Sequence, residues 1–60
     1  MIMKTYEQET TDGIRYRWFY DPYIKSWTIY QIDEEGNQID DADYHHSRPI
    51  LKQCYPELKF

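Results

Sequence analysis

Residues 14–20 read Ile-Arg-Tyr-Arg-Trp-Phe-Tyr, and a period of two sends Ile14, Tyr16, Trp18 and Tyr20 to one face and Arg15, Arg17 and Phe19 to the other. That is the pattern of a half-buried strand. Upstream, residues 2–10 are Thr-rich and carry Tyr6, and Thr11-Asp12-Gly13 follows them, an Asp-Gly pair being a strong hairpin signal. A first strand over 2–10 is therefore expected. Asp21-Pro22 opens a reversal through Ser26, because proline presets φ and removes a ladder donor. Residues 27–32 are aromatic and β-branched, with Trp27 and Ile29 on one side and Thr28, Tyr30 and Ile32 on the other. This segment reads as the central strand, partly covered on both faces.

Asp33-Glu34-Glu35-Gly36-Asn37 has the composition of a hairpin loop with Gly36 in the left-handed conformation, the form that ends in a bulge. A fourth strand returns from Gln38, but Ile39 has one parity and Ala42 and Tyr44 the other. One extra residue would reconcile them, so a bend is expected at Asp40 or Asp41. The C-terminal segment carries helix punctuation: Ser47 as cap, Pro49 in the first turn, and Ile50, Leu51, Cys54 and Tyr55 as one apolar stripe, stopped by Pro56. Two turns of helix do not persist alone, so the helix must be held against the sheet, with Leu58 and Phe60 latching the tail onto the same core. The fold class is α+β: a small antiparallel three- to four-stranded meander with one short C-terminal α-helix packed on one face.

Length and composition limit what such a fold can do. Sixty residues make one domain, 1–60, with a small core, since folding at this size buries roughly 60% of the surface the unfolded chain would expose. A deep substrate cavity is not expected. Eleven aromatics, seven of them Tyr, are too many for a disordered acidic tail. One cysteine, Cys54, excludes an internal disulfide and points to a reducing compartment, the cytoplasm. There is no apolar signal-peptide core after Met1 and no span of about 20 apolar residues for a membrane helix, so a soluble protein is expected.

The net charge of -4 is unevenly spread. Residues 33–43 hold six carboxylates (Asp33, Glu34, Glu35, Asp40, Asp41, Asp43) and no Lys or Arg, whereas the other 49 residues hold seven bases and five acids. The chain is dipolar, with an acidic segment and a mildly basic aromatic remainder. An acidic hairpin keeps a small protein soluble, and it also offers a carboxylate array to a basic surface; Asp41 and Asp43, two apart on a strand, are expected to project together. Calcium does not fit, because an EF-hand loop needs Gly at its sixth position and Gly36 is the fourth residue from Asp33. Zinc does not fit either: His45 and His46 are adjacent and point to opposite faces of a strand, and there is no second Cys or third His. Cys54 reads as a small core thiol on the helical stripe. No phosphate loop, nucleophile elbow or metal site is expected, nor any cofactor, so the chain does not read as an enzyme.

What remains is binding. The leading expectation is a non-catalytic module that occupies a basic, nucleic-acid-binding surface of a larger protein, with the six carboxylates steering the encounter and Trp18, Tyr20, Tyr23 and Trp27 anchoring it. In size and charge, with no shared motif, the chain is similar to phage-encoded inhibitors such as anti-restriction and anti-CRISPR proteins. The alternatives are a sheet that binds single-stranded nucleic acid through Arg15, Arg17, Lys25 and the strand-two aromatics, and a homodimer that covers its aromatic face with a second copy.

Overall fold

A computed structural model describes residues 4–60. Strands β1 (Thr5–Glu9), β2 (Arg15–Asp21), β3 (Ser26–Ile32) and β4 (Asp43–His45) form one antiparallel meander in chain order, and the helix α1 (Arg48–Cys54) follows. The architecture is the α+β arrangement expected from the alternation, with four strands. Ile2 and Met3, which the sequence places in the first strand, lie outside the described residues. Among the described residues no helix is long and apolar enough to cross a membrane.

The turns after β1 and β3 are built alike. In each, the first residue's N–H donates to the fifth residue's carbonyl (Thr10 to Ile14 at 2.8 Å, Asp33 to Asn37 at 2.9 Å), and the glycine N–H returns to the first carbonyl at 3.0 Å. Gly13 (φ +82°) and Gly36 (φ +86°) take the left-handed position that closes a three-residue hairpin loop with a bulge. The first side chain completes the turn. Thr10 Oγ1 accepts from the Ile14 N–H at 3.3 Å, and Asp33 Oδ1 accepts from the Glu35 and Asn37 N–H groups, both at 2.9 Å.

The returning chain corrects one expectation. Ile32 bridges Gln38, and pairing resumes only where Ile29 meets Asp43. Two residues on β3 therefore face four on the returning side, an excess of two where a single-residue bulge was expected. The bend does fall at Asp40, held by its own neighbours: the Gln38 amide donates to the Asp40 carbonyl and the Asp41 N–H to Asp40 Oδ1, both at 2.8 Å.

Register and alternation then fix the two faces. One carries the cross-strand rows Tyr6-Trp18-Ile29-Asp43, Gln8-Tyr16-Gln31 and Tyr20-Trp27-His45. It is covered by α1 and the tail, and its core is Trp18, Ile29, Leu51 and Leu58, with Tyr6, Tyr16, Trp27, Tyr55 and Phe60 packed around them. Ser47 stands at the helix N-cap without a side-chain hydrogen bond, and Pro49 lies in the first turn. The expected stripe is wrong by half: Leu51 is fully buried, but Ile50 is 42% exposed and Cys54 is exposed. Successive helical residues are about 100° apart, so a seven-residue helix that turns Leu51 and Tyr55 to the sheet turns Ile50 and Cys54 away. Cys54 is therefore not a core thiol.

Beyond the helix the tail is strapped to β1. Gln8 donates to the Glu57 carbonyl and accepts from the Lys59 N–H, both at 2.8 Å, and Thr11 Oγ1 donates to Glu57 Oε1 at 2.6 Å. That seats Leu58 in the core and brings the Phe60 ring edge-on to Trp18, 5.1 Å between centroids.

Truncating Leu58 to Ala should therefore cost about 2–4 kcal/mol, a large share of a small domain's stability, whereas Gln8→Ala should cost about 1 kcal/mol. Urea unfolding of the two variants measures the difference. Gly36→Ala should cost more than Gly13→Ala, because a Cβ at Gly13 meets open space while one at Gly36 lies 3.2 Å from Arg17 Nη2. Equal midpoints for the two glycine variants would contradict this packing of Arg17 against the turn.

Candidate functional site

Among the described residues no helix lies over the second face of the sheet. Its rows are Glu9-Arg15-Ile32, Glu7-Arg17-Tyr30 and Thr5-Phe19-Thr28-Tyr44. Arg17 Nε donates to Glu7 Oε2 at 2.8 Å and its guanidinium carbon stands 5.9 Å from the centre of the Tyr30 ring. The Tyr30 hydroxyl and the Glu7 carboxylate hold Arg17 above its ordinary range. Arg15 reaches Glu9 at 3.3 Å. Phe19 meets Tyr30 edge-on at 6.3 Å, and Tyr44, on the edge strand, is 62% exposed.

This placement separates groups that the sequence reading combined. Arg15 and Arg17 share a face with Phe19, while Tyr16, Trp18, Tyr20 and Trp27 lie on the face beneath the helix and tail. Trp18 is 3% exposed and serves the core, so it cannot anchor a partner. Trp27 is half-buried, with the Arg48 guanidinium 6.0 Å from its ring and Tyr20 edge-on at 5.5 Å. Tyr20 is exposed at the rim, and Tyr23, at the β2–β3 tip, is 94% exposed beside Ile24 and Lys25. The aromatics on the uncovered face are Phe19 and Tyr30, both half-buried, and Tyr44, which the sequence reading did not single out. Alternation already put Phe19 and Tyr30 opposite Trp18 and Trp27; only the side the helix covers was needed to see them.

The acidic run divides as well. Asp33 engages one carboxylate oxygen, Oδ1, in its turn, and backbone N–H groups, chiefly that of Asn37 and then that of Glu35, hold its carboxyl below the usual range. Asp43 accepts a hydrogen bond from the Tyr55 hydroxyl on the covered face. Asp41 precedes β4 and is not on a strand, so it and Asp43 do not form the expected row. Glu34, Glu35, Asp40 and Asp41 are exposed, and the ion pairs among the described residues use Glu7 and Glu9 instead. The free carboxylates and the Tyr23 tip lie at opposite ends of β3, about 23 Å apart for seven residues.

His45 and His46 diverge. His45 faces the helix, 6.3 Å from the Tyr55 ring, with Nε2 buried and unpartnered, while His46 Nδ1 sits 3.3 Å from Ser26 Oγ on the other side. Among the described residues no three metal-ligating side chains converge. A concavity of about 390 Å³ lies at the acidic end between the two glycine turns, with Ile14, Ile32 and Ile39 beside Glu9, Arg15, Asp33 and Glu34. No family model matches the chain, and no curated protein or solved structure is similar to it.

Burial, and then the bond to Asp43, keep the Tyr55 phenol protonated beyond its usual range. The unfolded chain loses that proton near pH 10 and the folded chain does not, so above about pH 10 the folded state binds more protons and stability falls as pH rises. The contribution is fully present below that point. Urea unfolding between about pH 9 and 11 should show a steeper loss for the wild type than for Tyr55→Phe, and equal slopes would refute the assignment.

Proposed function

We propose that this protein is a non-catalytic binding module that docks on a basic surface of a larger protein. The observation that carries the reading is the division of charge. Both strand-two arginines are neutralised by β1 glutamates, while Glu34, Glu35, Asp40 and Asp41 have no basic partner among the described residues. Unpaired carboxylates at one end raise the association rate with a cationic surface, and the exposed Tyr44 of the open face and Tyr23 of the β2–β3 tip supply anchors. Where that cationic surface is one that normally holds nucleic acid, such docking is competitive, and the protein acts as an inhibitor of phage type. The exposed Cys54 thiol suits a reducing, cytoplasmic setting.

The single-stranded nucleic-acid alternative is weakened by the same geometry. Stacking platforms need aromatics and free cations on one face, and here Arg15 and Arg17 are paired, Lys25 stands at the β2–β3 tip, and the aromatics are divided. The test is a variant, E34Q/E35Q/D40N/D41N, that leaves the structural Asp33 and Asp43 in place. Affinity capture from nuclease-treated source-cell extract, with association kinetics against salt for any protein recovered, should show at least tenfold slower association for the variant and a shallower salt dependence. Unchanged association and salt slope would sink the proposal, as would tighter binding of single-stranded DNA than of protein.

A further inference from the structure

The concavity at the acidic end has the chemistry of a receptor for one kind of side chain. Two identical turns, Thr10-Ile14 and Asp33-Asn37, bound it, and each is locked by its own backbone bonds, so the walls are preformed. Ile32, 3% exposed, gives it an apolar floor, and Ile39, 54% exposed, is a large apolar side chain left uncovered on its wall. Three carboxylates, Glu9, Asp33 and Glu34, line it against a single cation, Arg15, which is already paired with Glu9. The site is thus net negative above an apolar surface, at about 390 Å³. That size is near the lower end for small-molecule sites.

A neutral apolar ligand would leave the carboxylates without a partner, and an anion would be repelled. A long side chain with a methylene stem and a cationic head satisfies both parts, because Lys and Arg lay their stems along apolar surface and keep the charge at the polar rim. Between these two, the planar guanidinium is the better match to paired carboxylates, since it presents several donors in a fixed fork. We infer that this cleft receives an arginine side chain of the partner, its stem along Ile14 and Ile39 and its guanidinium between Asp33 and Glu34. The inference rests on the proposed docking to a basic surface and names the group that surface contributes.

The probe is N-acetyl-arginine amide, titrated into the intact, isotope-labelled protein with two-dimensional NMR. Saturable shifts should centre on Gly13, Ile14, Ile32, Glu34 and Ile39, and the uncharged citrulline analogue should bind several-fold more weakly. Glu34→Gln and Ile39→Ala change exposed side chains that hold no fold contact described above, and each should weaken the probe roughly two- to fivefold with the remaining resonances unmoved. Shifts spread evenly over Asp12, Glu57 and the other exposed acids, or equal binding of citrulline, would overturn the cleft. So would an Ile39→Ala variant that binds the probe as the wild type does. These outcomes are separable from failure of the broader reading: if the probe fails but E34Q/E35Q/D40N/D41N still slows partner association, docking is by diffuse charge and only the cleft is wrong.

Discussion

Trp18 lies in a cross-strand row between Tyr6 and Ile29, stacked with the Tyr6 ring at 5.9 Å and 8°, and it is closed from above by the Phe60 edge and by Leu51 and Leu58. A helix of seven residues cannot persist by itself, and the tail after it has no regular ladder of its own. Both are held by what they cover. Burying an indole removes about 150–250 Å² from water, worth at most about 4–6 kcal/mol, which is comparable to the whole stability of a small domain. Sheet, helix and tail therefore stand or fall together on this one side chain, and the polar strap through Gln8 and Glu57 fixes the register of the tail over it.

Because one short helix and one tail are all that cover the sheet among the described residues, the second face is stable without a helix over it. It manages this with charge pairs across β1 and β2 and with ring edges between Phe19 and Tyr30. Exposed pairs of this kind contribute roughly 0–1 kcal/mol, so their main effect is to make an uncovered face tolerable in water. Ser26, Thr28 and Ile32 are buried there even so, Thr28 in a row between Phe19 and Tyr44. A face built this way pairs its arginines with the β1 glutamates and leaves Tyr44 in solvent.

Period-two alternation was enough to read the faces of β2 and β3, and Asp12-Gly13 and the 33–37 composition to place the two hairpin turns, because those features are set within a few residues of one another. The helix boundaries were legible for the same reason, from Ser47, Pro49 and Pro56. Which side of the sheet the helix takes is a long-range fact, and it decided that Trp18 and Trp27 serve the covered face while Tyr44 stays in solvent. Rotation of the helix was equally invisible: Ile50, Leu51, Cys54 and Tyr55 admit more than one contact stripe, and only the packing with Trp18, Ile29 and Leu58 shows Leu51 and Tyr55 to be the inward pair.

The two extra residues before β4 connect the fold to the proposed site. Side-chain direction alternates, so an odd excess would have exchanged the faces of β4, putting Asp43 in solvent and Tyr44 beneath the helix. Asp43 would then lose the Tyr55 hydroxyl, and a tyrosine would compete with Trp27 and Leu51 for a small core. An even excess preserves both faces while looping Asp40 and Asp41 away from the ladder, where both are exposed and Asp40 holds the bend through its carbonyl and Oδ1. The acidic segment is thus pinned at each end by a carboxylate with an internal role, Asp33 in its turn and Asp43 on Tyr55, and the four between them are held out. A charge run that only conferred solubility would not need to be anchored at both ends by its own members; one that presents charge to a partner gains from it, because the array is ordered before the encounter and loses little freedom on binding.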